Sequence, residues 1–406
     1  MRVAVIGGGW AGLAAAVVLT AGGHAVTLFE AGRVLGGRAR SVSIDGRQLD
    51  NGQHILLGAY RDTLELMRRV GVVPERVFAR QPLQVVDRSG FCLRLPRLPA
   101  PLNVAWGLLT ARGVGWGEKL RTAWWMECVK RREFRLENDL TVAQWLDSAG
   151  QTGNLRHHLW EPLCVAALNT PAVQASAQLF ANVLRDSLGS PRRGDTDLLL
   201  PRVDLGQLLP APAGKWLQDH GAILRLSHRV KCVVANNEHV AIDGEHFDTA
   251  VIATAPQHLA DLWPDAASDF SFEPIATVYL QFAEKTSLPF PLFNLLGQYG
   301  QWVVDRGQGL LACVLSGHGD WESLPDKALA AALRNELGIS EAPHWQRVIR
   351  EKRATFSARP ALPRPDFRTS HPRIALAGDY TWADYPATLE GAVRSGLRAA
   401  RWLTSR

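Results

Sequence analysis

Residues 2–21 read RVAVIGGGWAGLAAAVVLTA, and residues 25–29 read AVTLF. The β-branched and alanine-rich runs predict a buried parallel strand over Arg2–Ile6, a helix over Leu13–Ala21 and a second strand over Ala25–Phe29. The glycines between the first strand and the helix have the spacing G-x-G-x-x-G. In a strand–turn–helix context, this spacing predicts a dinucleotide-binding turn.

Each residue of this turn has an expected role toward the dinucleotide. Gly7 permits the tight turn, Gly9 lets a pyrophosphate approach the backbone, and Gly12 lets the helix pack closely on the strand. Trp10 and Ala11 stand between these glycines and are expected to contact the cofactor as well. The motif alone does not separate FAD from NAD.

Glu30 completes the motif at the tip of the second strand. A carboxylate there can accept both ribose hydroxyls and would repel a 2′-phosphate. From Val3 to Gly23 the chain has no charged residue, but six glycines interrupt the run. We therefore interpret it as a buried nucleotide-binding unit and neither as a membrane span nor as a signal peptide.

The composition limits the class of protein. With 406 residues, 47% hydrophobic and 21% charged, the chain suits a folded enzyme of about two domains and is neither disordered nor a small disulfide scaffold. A formal net charge of +6 without a long basic block argues against a nucleic-acid partner. Five cysteines without a CxxC pair favour a reducing cytosol and no metal site.

A second glycine pair follows the first unit. Gly36, Gly37 and Arg38 resemble the GG-R signature of the amine oxidase and phytoene desaturase flavoproteins. This resemblance implies FAD as the cofactor, with Arg38 reaching it. Two glycines allow a close backbone approach, and a guanidinium offers a diphosphate a rigid fork of donors.

The C-terminal segment is typical of the flavin end of such a site. A strand is predicted over Arg373–Ala377, ending at Gly378 and Asp379, and a helix over Thr388–Leu403. Asp379 can accept hydroxyls of the ribitol chain. The helix N-terminus, at Thr388 and Leu389, can face the pyrimidine edge of the flavin, which becomes negative on reduction. The small residues of this helix are equally typical of close helix packing.

Three further stretches resemble hydroxysqualene dehydroxylases, the squalene-associated flavoproteins of bacterial hopanoid pathways. They are DNGQHILLGAY at 50–60, EPLCVAALNTP at 161–171 and ATLEGAV at 387–393. The resemblance covers nearly the whole chain. It implies an α/β fold, in which a Rossmann-like FAD-binding domain of the amine oxidase type is interleaved with an α+β substrate domain. The implied segments are 1–77, 205–259 and 353–406 for the FAD-binding domain, and 78–204 and 260–352 for the substrate domain.

The resemblance also implies site residues. Gly52, Gln53 and His54 are expected beside the flavin, and Val230, in a strand predicted over Val230–Val234, is expected to read adenine through its backbone. The predicted FAD-binding residues are Gly7, Gly9, Trp10, Ala11, Gly12, Glu30, Gly37, Arg38, Gly52, Gln53, His54, Val230, Gly378, Asp379, Thr388 and Leu389.

The family's reaction replaces an allylic hydroxyl of hydroxysqualene by hydrogen, which gives squalene and oxidises the reduced flavin. It needs a long apolar tunnel and a proton donor for the departing water. His54 is the candidate donor, because its motif is expected beside the flavin and a histidine titrates near neutrality. Lesser candidates are Asp50, Glu161, Cys164 and Tyr385. A single dinucleotide motif implies that electrons come from an external donor.

Two other functions stay open. A carotenoid-type desaturase would use the same fold and run the flavin in the opposite redox direction, and a non-catalytic lipid-binding module would keep the scaffold without redox chemistry. The lysine that many amine oxidases hold near the flavin has no clear counterpart here, which argues against simple amine oxidation.

Residues 99–126 mix tryptophan, leucine and arginine. The mixture suits an interfacial helix of a peripheral membrane protein, and it suits a buried core helix equally well. The expected location is the cytoplasm, and the first interpretation would place the protein on the inner face of the cytoplasmic membrane.

Overall fold

The computed structural model describes residues 1–266 and 269–405. The strands are β1 (Arg2–Ile6), β2 (Ala25–Phe29), β3 (Ser41–Ile44), β4 (Arg47–Asp50), β5 (Leu56–Leu57), β6 (Phe78–Gln81), β7 (Gln84–Val86), β8 (Cys92–Arg94), β9 (Leu198–Pro201), β10 (Ile223–Arg225), β11 (Val233–Ala235), β12 (Val240–Ile242), β13 (Glu245–Phe247), β14 (Thr249–Ile252), β15 (Phe272–Gln281), β16 (Leu292–Asn294), β17 (Trp302–Asp305), β18 (Leu310–Ser316), β19 (Trp345–Phe356) and β20 (Ile374–Leu376). The α-helices are α1 (Trp10–Ala21), α2 (Arg61–Arg69), α3 (Pro74–Val77), α4 (Leu102–Thr110), α5 (Trp116–Arg131), α6 (Val142–Ser148), α7 (Glu161–Leu168), α8 (Ala177–Asp186), α9 (Leu205–Leu208), α10 (Pro210–Asp219), α11 (Leu259–Leu262), α12 (Asp326–Leu337) and α13 (Leu389–Thr404).

A parallel sheet forms the nucleotide-binding half, in the strand order β10-β2-β1-β14-β20. Successive residues of β1 point to opposite faces of the sheet. Val3 and Val5 share a core with α1 and α13, whereas Ala4 and Ile6 share one with the antiparallel strands β11–β13. The result is a three-layer α/β unit whose strands come from both ends and the middle of the chain.

Helix α1 starts at Trp10, three residues before the predicted start at Leu13. Gly12 therefore lies inside the helix, where a Cβ would come within 1.9 Å of the carbonyl oxygen of Gly7. Gly7 itself has φ +111°, a conformation that strains any residue with a Cβ. The sequence pattern assigned Gly12 to the turn, whereas the structure places it inside the helix, where only a residue without a Cβ allows the close approach to Gly7.

The C-terminal helix α13 packs directly against α1. A Cβ at Gly396 would come within 2.0 Å of the carbonyl oxygen of Ala11, so the two backbones are nearly in contact. The small-residue face of α13 thus serves close packing, and Thr388 caps the helix by accepting a hydrogen bond from the backbone N–H of Gly391 at 3.1 Å.

The second half of the molecule contains an antiparallel sheet, in the order β16-β17-β18-β15-β19. One face of this sheet packs on α12, and the other faces the parallel sheet across a cavity. The predicted domain boundary at residue 353 falls inside β19, so this strand runs from one predicted segment into the other. The division into two domains stays a prediction.

One predicted strand starts later than the sequence indicated. The strand predicted from Val230 begins only at Val233, and Val230 lies in the segment that leads into it. In residues 1–266 and 269–405, no helix combines the length and the apolar character that crossing a bilayer requires.

Candidate active site

A cavity of about 1010 Å³ lies at the carboxyl edge of the parallel sheet. Ile6, Phe29, Ala253 and Gly378, at or just beyond the ends of four of its strands, all line it. This edge is where open parallel sheets bind ligands. Every residue predicted to bind FAD lines the cavity except Gly12, which serves helix packing instead.

At the nucleotide end, α1 points an uncapped N-terminus at the cavity. Its N-cap is Gly9, and no side chain accepts from the first turn. A Cβ at Gly9 would have nothing nearer than the Cα of Gly37 at 3.9 Å. Free backbone N–H groups and the positive end of a helix dipole suit a diphosphate.

The carboxylate of Glu30 is held in place by backbone donors. Its Oε2 accepts from the N–H of Gly8 at 2.7 Å and its Oε1 from the N–H of Gly32 at 2.6 Å. These two bonds orient Glu30 at the cavity wall, where the sequence expects it to meet the ribose hydroxyls.

Arg38 and Asp379 form one ion pair rather than two independent contacts. Nη2 of Arg38 lies 2.7 Å from both carboxylate oxygens of Asp379, and Nη1 donates to the carbonyl oxygen of Ala354 at 2.9 Å. Asp379 is buried, and the arginine is about one-third exposed. The pair therefore ties the second glycine motif to the C-terminal motif across the cavity.

Three polar atoms of the cavity wall have no hydrogen-bond partner within the described chain. They are Oε1 of Gln53, Oγ1 of Thr254 and the hydroxyl oxygen of Tyr380. Buried polar atoms normally find a partner, so these atoms indicate a ligand with polar edges. Together with the glycine cradle and Glu30, they fit FAD.

His54 lines the cavity and is half-buried. Burial, and secondarily the charge of Arg38, lower the pKa of His54 to about 4. The ring is therefore neutral at neutral pH. The expectation that His54 titrates near neutrality is corrected, because both causes disfavour the imidazolium.

The lesser acid candidates separate into two groups. Tyr385 lines the cavity and donates its hydroxyl hydrogen bond to Asp186, another residue of the wall. Asp50, Glu161 and Cys164 do not line it. Burial raises the pKa of Asp50 to about 6, but its Oδ1 accepts from the backbone N–H of α9, away from the site.

The remaining wall is apolar and comes from many segments. Its apolar members include Leu83, Val85, Leu163, Ala166, Leu188, Leu198, Ile275, Leu292, Trp302, Val304 and Val314. Sequence reasoning assigned none of them to the site. In β17, Trp302 and Val304 face the cavity while Val303 packs with α12. Such alternation along the sequence predicts a half-buried strand, but it does not show which part of the fold each face of the strand contacts.

Asp186 is also a site residue that sequence reasoning missed. It ends α8, pairs with Arg185 at 2.7 Å and accepts from Tyr385. An acidic residue at a helix end carries no signal by itself.

Comparisons with known proteins agree with this architecture. The family model described as flavin containing amine oxidoreductase matches residues 10–403. A hydroxysqualene dehydroxylase of Rhodopseudomonas palustris is 31% identical over 98% of this chain and 97% of its own length. A probable zeta-carotene desaturase of Synechococcus elongatus is 25% identical over 99% of this chain and 98% of its own. An oxidoreductase from Methanosarcina mazei has a similar structure, with TM-score 0.75 at 14% identity, covering 99% of this chain and 100% of that one.

The matches confirm four predictions: the resemblance to hydroxysqualene dehydroxylases, the α/β fold, the FAD cofactor and the activity class, a flavin oxidoreductase. The roles of the single site residues stay predictions. With a family model matched from the dinucleotide turn to the last helix, this chain belongs to the flavin containing amine oxidoreductases.

Proposed function

We propose that this protein converts hydroxysqualene to squalene by FAD-dependent reductive dehydroxylation, the squalene-forming step of a hopanoid pathway. One observation carries the proposal: a single cavity joins a dinucleotide cradle to a large apolar wall. The similarity to the Rhodopseudomonas palustris hydroxysqualene dehydroxylase supports it. A long isoprenoid needs such a wall, because nearly all of its surface is hydrocarbon.

The reaction breaks the allylic carbon–oxygen bond and forms a carbon–hydrogen bond at the same carbon, and the hydroxyl group leaves as water after taking a proton. Bound FADH2 would supply both the hydride and the proton, so that one reduced flavin and one allylic alcohol give one oxidised flavin, one squalene and one water. The two electrons must first come from an external donor.

The residues of this chain would hold FAD at several points. The N-terminus of α1 would face the diphosphate, Glu30 would face the adenosine ribose, and Asp379 would face the ribitol chain. The Arg38–Asp379 ion pair would hold the second glycine motif and the C-terminal motif in a fixed position relative to each other, since the guanidinium binds both carboxylate oxygens of Asp379. The free oxygen of Gln53 offers a further acceptor.

The apolar wall would exclude water from the reacting carbon. Ile275, Trp302 and Val314 come from adjacent strands of the antiparallel sheet and face the cavity together. A dry site strengthens every electrostatic interaction inside it, and it prevents water from trapping an allylic cation.

His54 would orient the substrate hydroxyl. With a pKa of about 4, the ring holds no extra proton at neutral pH, but it keeps one N–H that can donate a hydrogen bond. The phenol of Tyr385 also keeps its proton, because burial and Asp186 raise its pKa. These groups position the hydroxyl, and neither is a strong acid.

The test uses purified protein loaded with FAD, reduced anaerobically by dithionite and mixed with hydroxysqualene in detergent. Squalene detected by mass spectrometry, with flavin reoxidation in equal amount, is the expected result. An Ile275→Glu variant places a charge in the apolar wall and should lose squalene formation. The matched Val173→Glu variant changes an exposed residue outside the wall and should keep it.

A desaturase acting on a carotenoid is the second candidate, because the Synechococcus relative bears that name. This activity would run from oxidised flavin, without added reductant. Desaturation of zeta-carotene by the oxidised protein, with no squalene from the reduced protein, would replace the proposal. Peripheral contact with the cytoplasmic membrane through residues 99–126 also belongs to the proposal, since its substrate would dissolve in bilayers.

A further inference from the structure

The tryptophans that are mostly exposed all lie in one place. Among the described residues, the three indole side chains that are exposed are Trp106 on α4 and Trp116 and Trp124 on α5, at 52, 64 and 66%. Large apolar side chains in a contiguous exposed patch mark interaction sites. The two helices therefore present an unpartnered apolar surface.

This surface follows the helix periodicity. Leu102, Trp106 and Leu109 are exposed on one side of α4, and Trp116, Leu120 and Trp124 on one side of α5. Residues three or four apart share a helix face. The opposite side of α5 is buried, with Thr122, Trp125 and Val129 in the interior. Each helix thus has one core face and one exposed Trp/Leu face, which is compatible with either interpretation of residues 99–126.

A buried lysine joins the two helices. Lys119 Nζ donates to the carbonyl oxygen of Leu109 at 2.7 Å, and it lies 4.9 Å from the centre of the Trp116 ring. Asn154 holds the connecting loop by donating to the carbonyl oxygen of Gly113 at 2.7 Å. The exposed faces are therefore fixed relative to each other.

The segment around these helices is basic. Residues 97–132 contain seven Lys and Arg against two Asp and Glu, while the whole chain has a formal net charge of +6. Both glutamates of this segment have partners within the protein. Glu118 accepts from the backbone N–H of Leu155 at 2.5 Å, and Glu127 pairs with Arg131 at 3.0 Å. Arg97, Arg112, Arg121, Lys130 and Arg132 are exposed.

We propose that α4 and α5 form a docking surface for an anionic phospholipid bilayer, here called the α4–α5 face. Tryptophans prefer the headgroup level, leucines enter the acyl boundary, and arginines reach anionic headgroups. The excess of positive charge complements such a surface. The proposal deepens the proposed function, because it places the source of an apolar substrate at the protein surface.

The buried faces of the same helices pack on the wall of the active site. Trp125 packs against Trp160 with ring centroids 5.4 Å apart, and Trp160 immediately precedes α7, which contributes Leu163 to the cavity. Asn103 of α4 donates to Oγ1 of Thr196 at 3.3 Å, and Thr196 lines the cavity. Docking through the α4–α5 face thus brings the bilayer next to the apolar half of the site.

Vesicle flotation tests this face without any substrate. The FAD-loaded protein is mixed with phosphatidylcholine vesicles with and without phosphatidylglycerol. We expect binding to the anionic vesicles at least about tenfold tighter than to the neutral ones, and weaker in high salt. The Leu120→Ser/Trp124→Ser variant should lose binding about tenfold or more. The matched Val173→Ser/Val234→Ser variant changes two exposed apolar residues elsewhere and should bind like the wild type.

The outcomes separate this proposal from the proposed function. Turnover of hydroxysqualene in detergent should be unchanged in the Leu120→Ser/Trp124→Ser variant, and vesicle binding is measured whether or not turnover is found. Equal vesicle binding by both double variants, or no binding by the wild type, would overturn the docking surface. A dimer in solution that the Leu120→Ser/Trp124→Ser change dissociates would also overturn it, since a second copy would then cover this face.

Discussion

Two glycine-to-alanine changes should separate FAD binding from folding. Gly9 has φ −74° and ψ 178°, which alanine adopts without strain, and a Cβ there would meet nothing within 3.9 Å. At Gly396 of α13, by contrast, a Cβ would lie 2.0 Å from the carbonyl oxygen of Ala11. The first change acts on the cavity and the second on the α1–α13 contact.

The magnitudes follow from these distances. In the apoprotein, Gly9→Ala gains about 0.4–1 kcal/mol from the unfolded chain and loses a similar amount at the N-cap, so the free energy of unfolding should stay nearly constant. Toward FAD, the methyl group should displace the diphosphate from at least one backbone N–H. A hydrogen bond to a charged group contributes about 1.5–3 kcal/mol, so the Kd should rise about tenfold to a hundredfold.

Gly396→Ala should show the opposite pattern. Overpacking costs about 1–3 kcal/mol, and here the obstacle is backbone rather than a flexible side chain. Urea unfolding of both apoproteins and FAD titration by flavin fluorescence measure the two effects. Wild-type FAD affinity in Gly9→Ala, or a loss of its apoprotein stability above about 2 kcal/mol, would refute the reasoning.

Three further results are expected. His54→Ala should keep FAD and lose dehydroxylation, and the wild-type rate should show no histidine ionisation above pH 5, because the pKa of His54 is about 4; histidine NMR checks this directly. Burial raises the pKa of Asp50 from 3.8 to about 6, so the native state binds this proton more tightly, and its contribution to the free energy of unfolding falls as the pH rises from about 4 to 6, by up to about 3 kcal/mol. Urea midpoints of the wild type and Asp50→Asn should diverge across that window; parallel curves would contradict it. Glu390→Ala should lower the free energy of unfolding by about 3 kcal/mol, because buried Glu390 accepts from Thr63 at 2.7 Å and pairs with Arg394 at 2.9 Å, and Glu390→Gln should lose less.

The nucleotide-binding half was readable from the sequence because its signal is local. Strand, glycine turn, helix and Glu30 lie within thirty residues. Gly7 and Gly12 are required by a positive φ and by a close approach of two backbones, respectively, and Gly9 leaves the cavity open at the start of the helix. The predicted helix start at Leu13 was the exception, since α1 begins at Trp10. The close approach of Gly12 to Gly7 places Gly12 inside the helix, and helix propensity does not encode that contact.

The apolar half of the site was not readable in this way. Ile275, Trp302 and Val314 meet only because β15, β17 and β18 pair at long range, and the pattern of each strand is satisfied by any half-buried sheet. Likewise, Asp186 becomes a site residue only through its contact with Tyr385, 199 residues away in the chain. Pairing of this kind depends on the whole fold rather than on the residues nearby.

The contact between α1 and α13 has a consequence for biosynthesis. Chains emerge from the N-terminus at roughly 5–20 residues per second, so α13 follows β1 by roughly 20–80 s. Throughout that interval, one apolar face of the nascent nucleotide-binding unit lacks the helix that covers it in the finished protein. Expression yield should therefore depend on chaperones and on the speed of translation before α13, and slow codons placed upstream of that helix should increase the insoluble fraction.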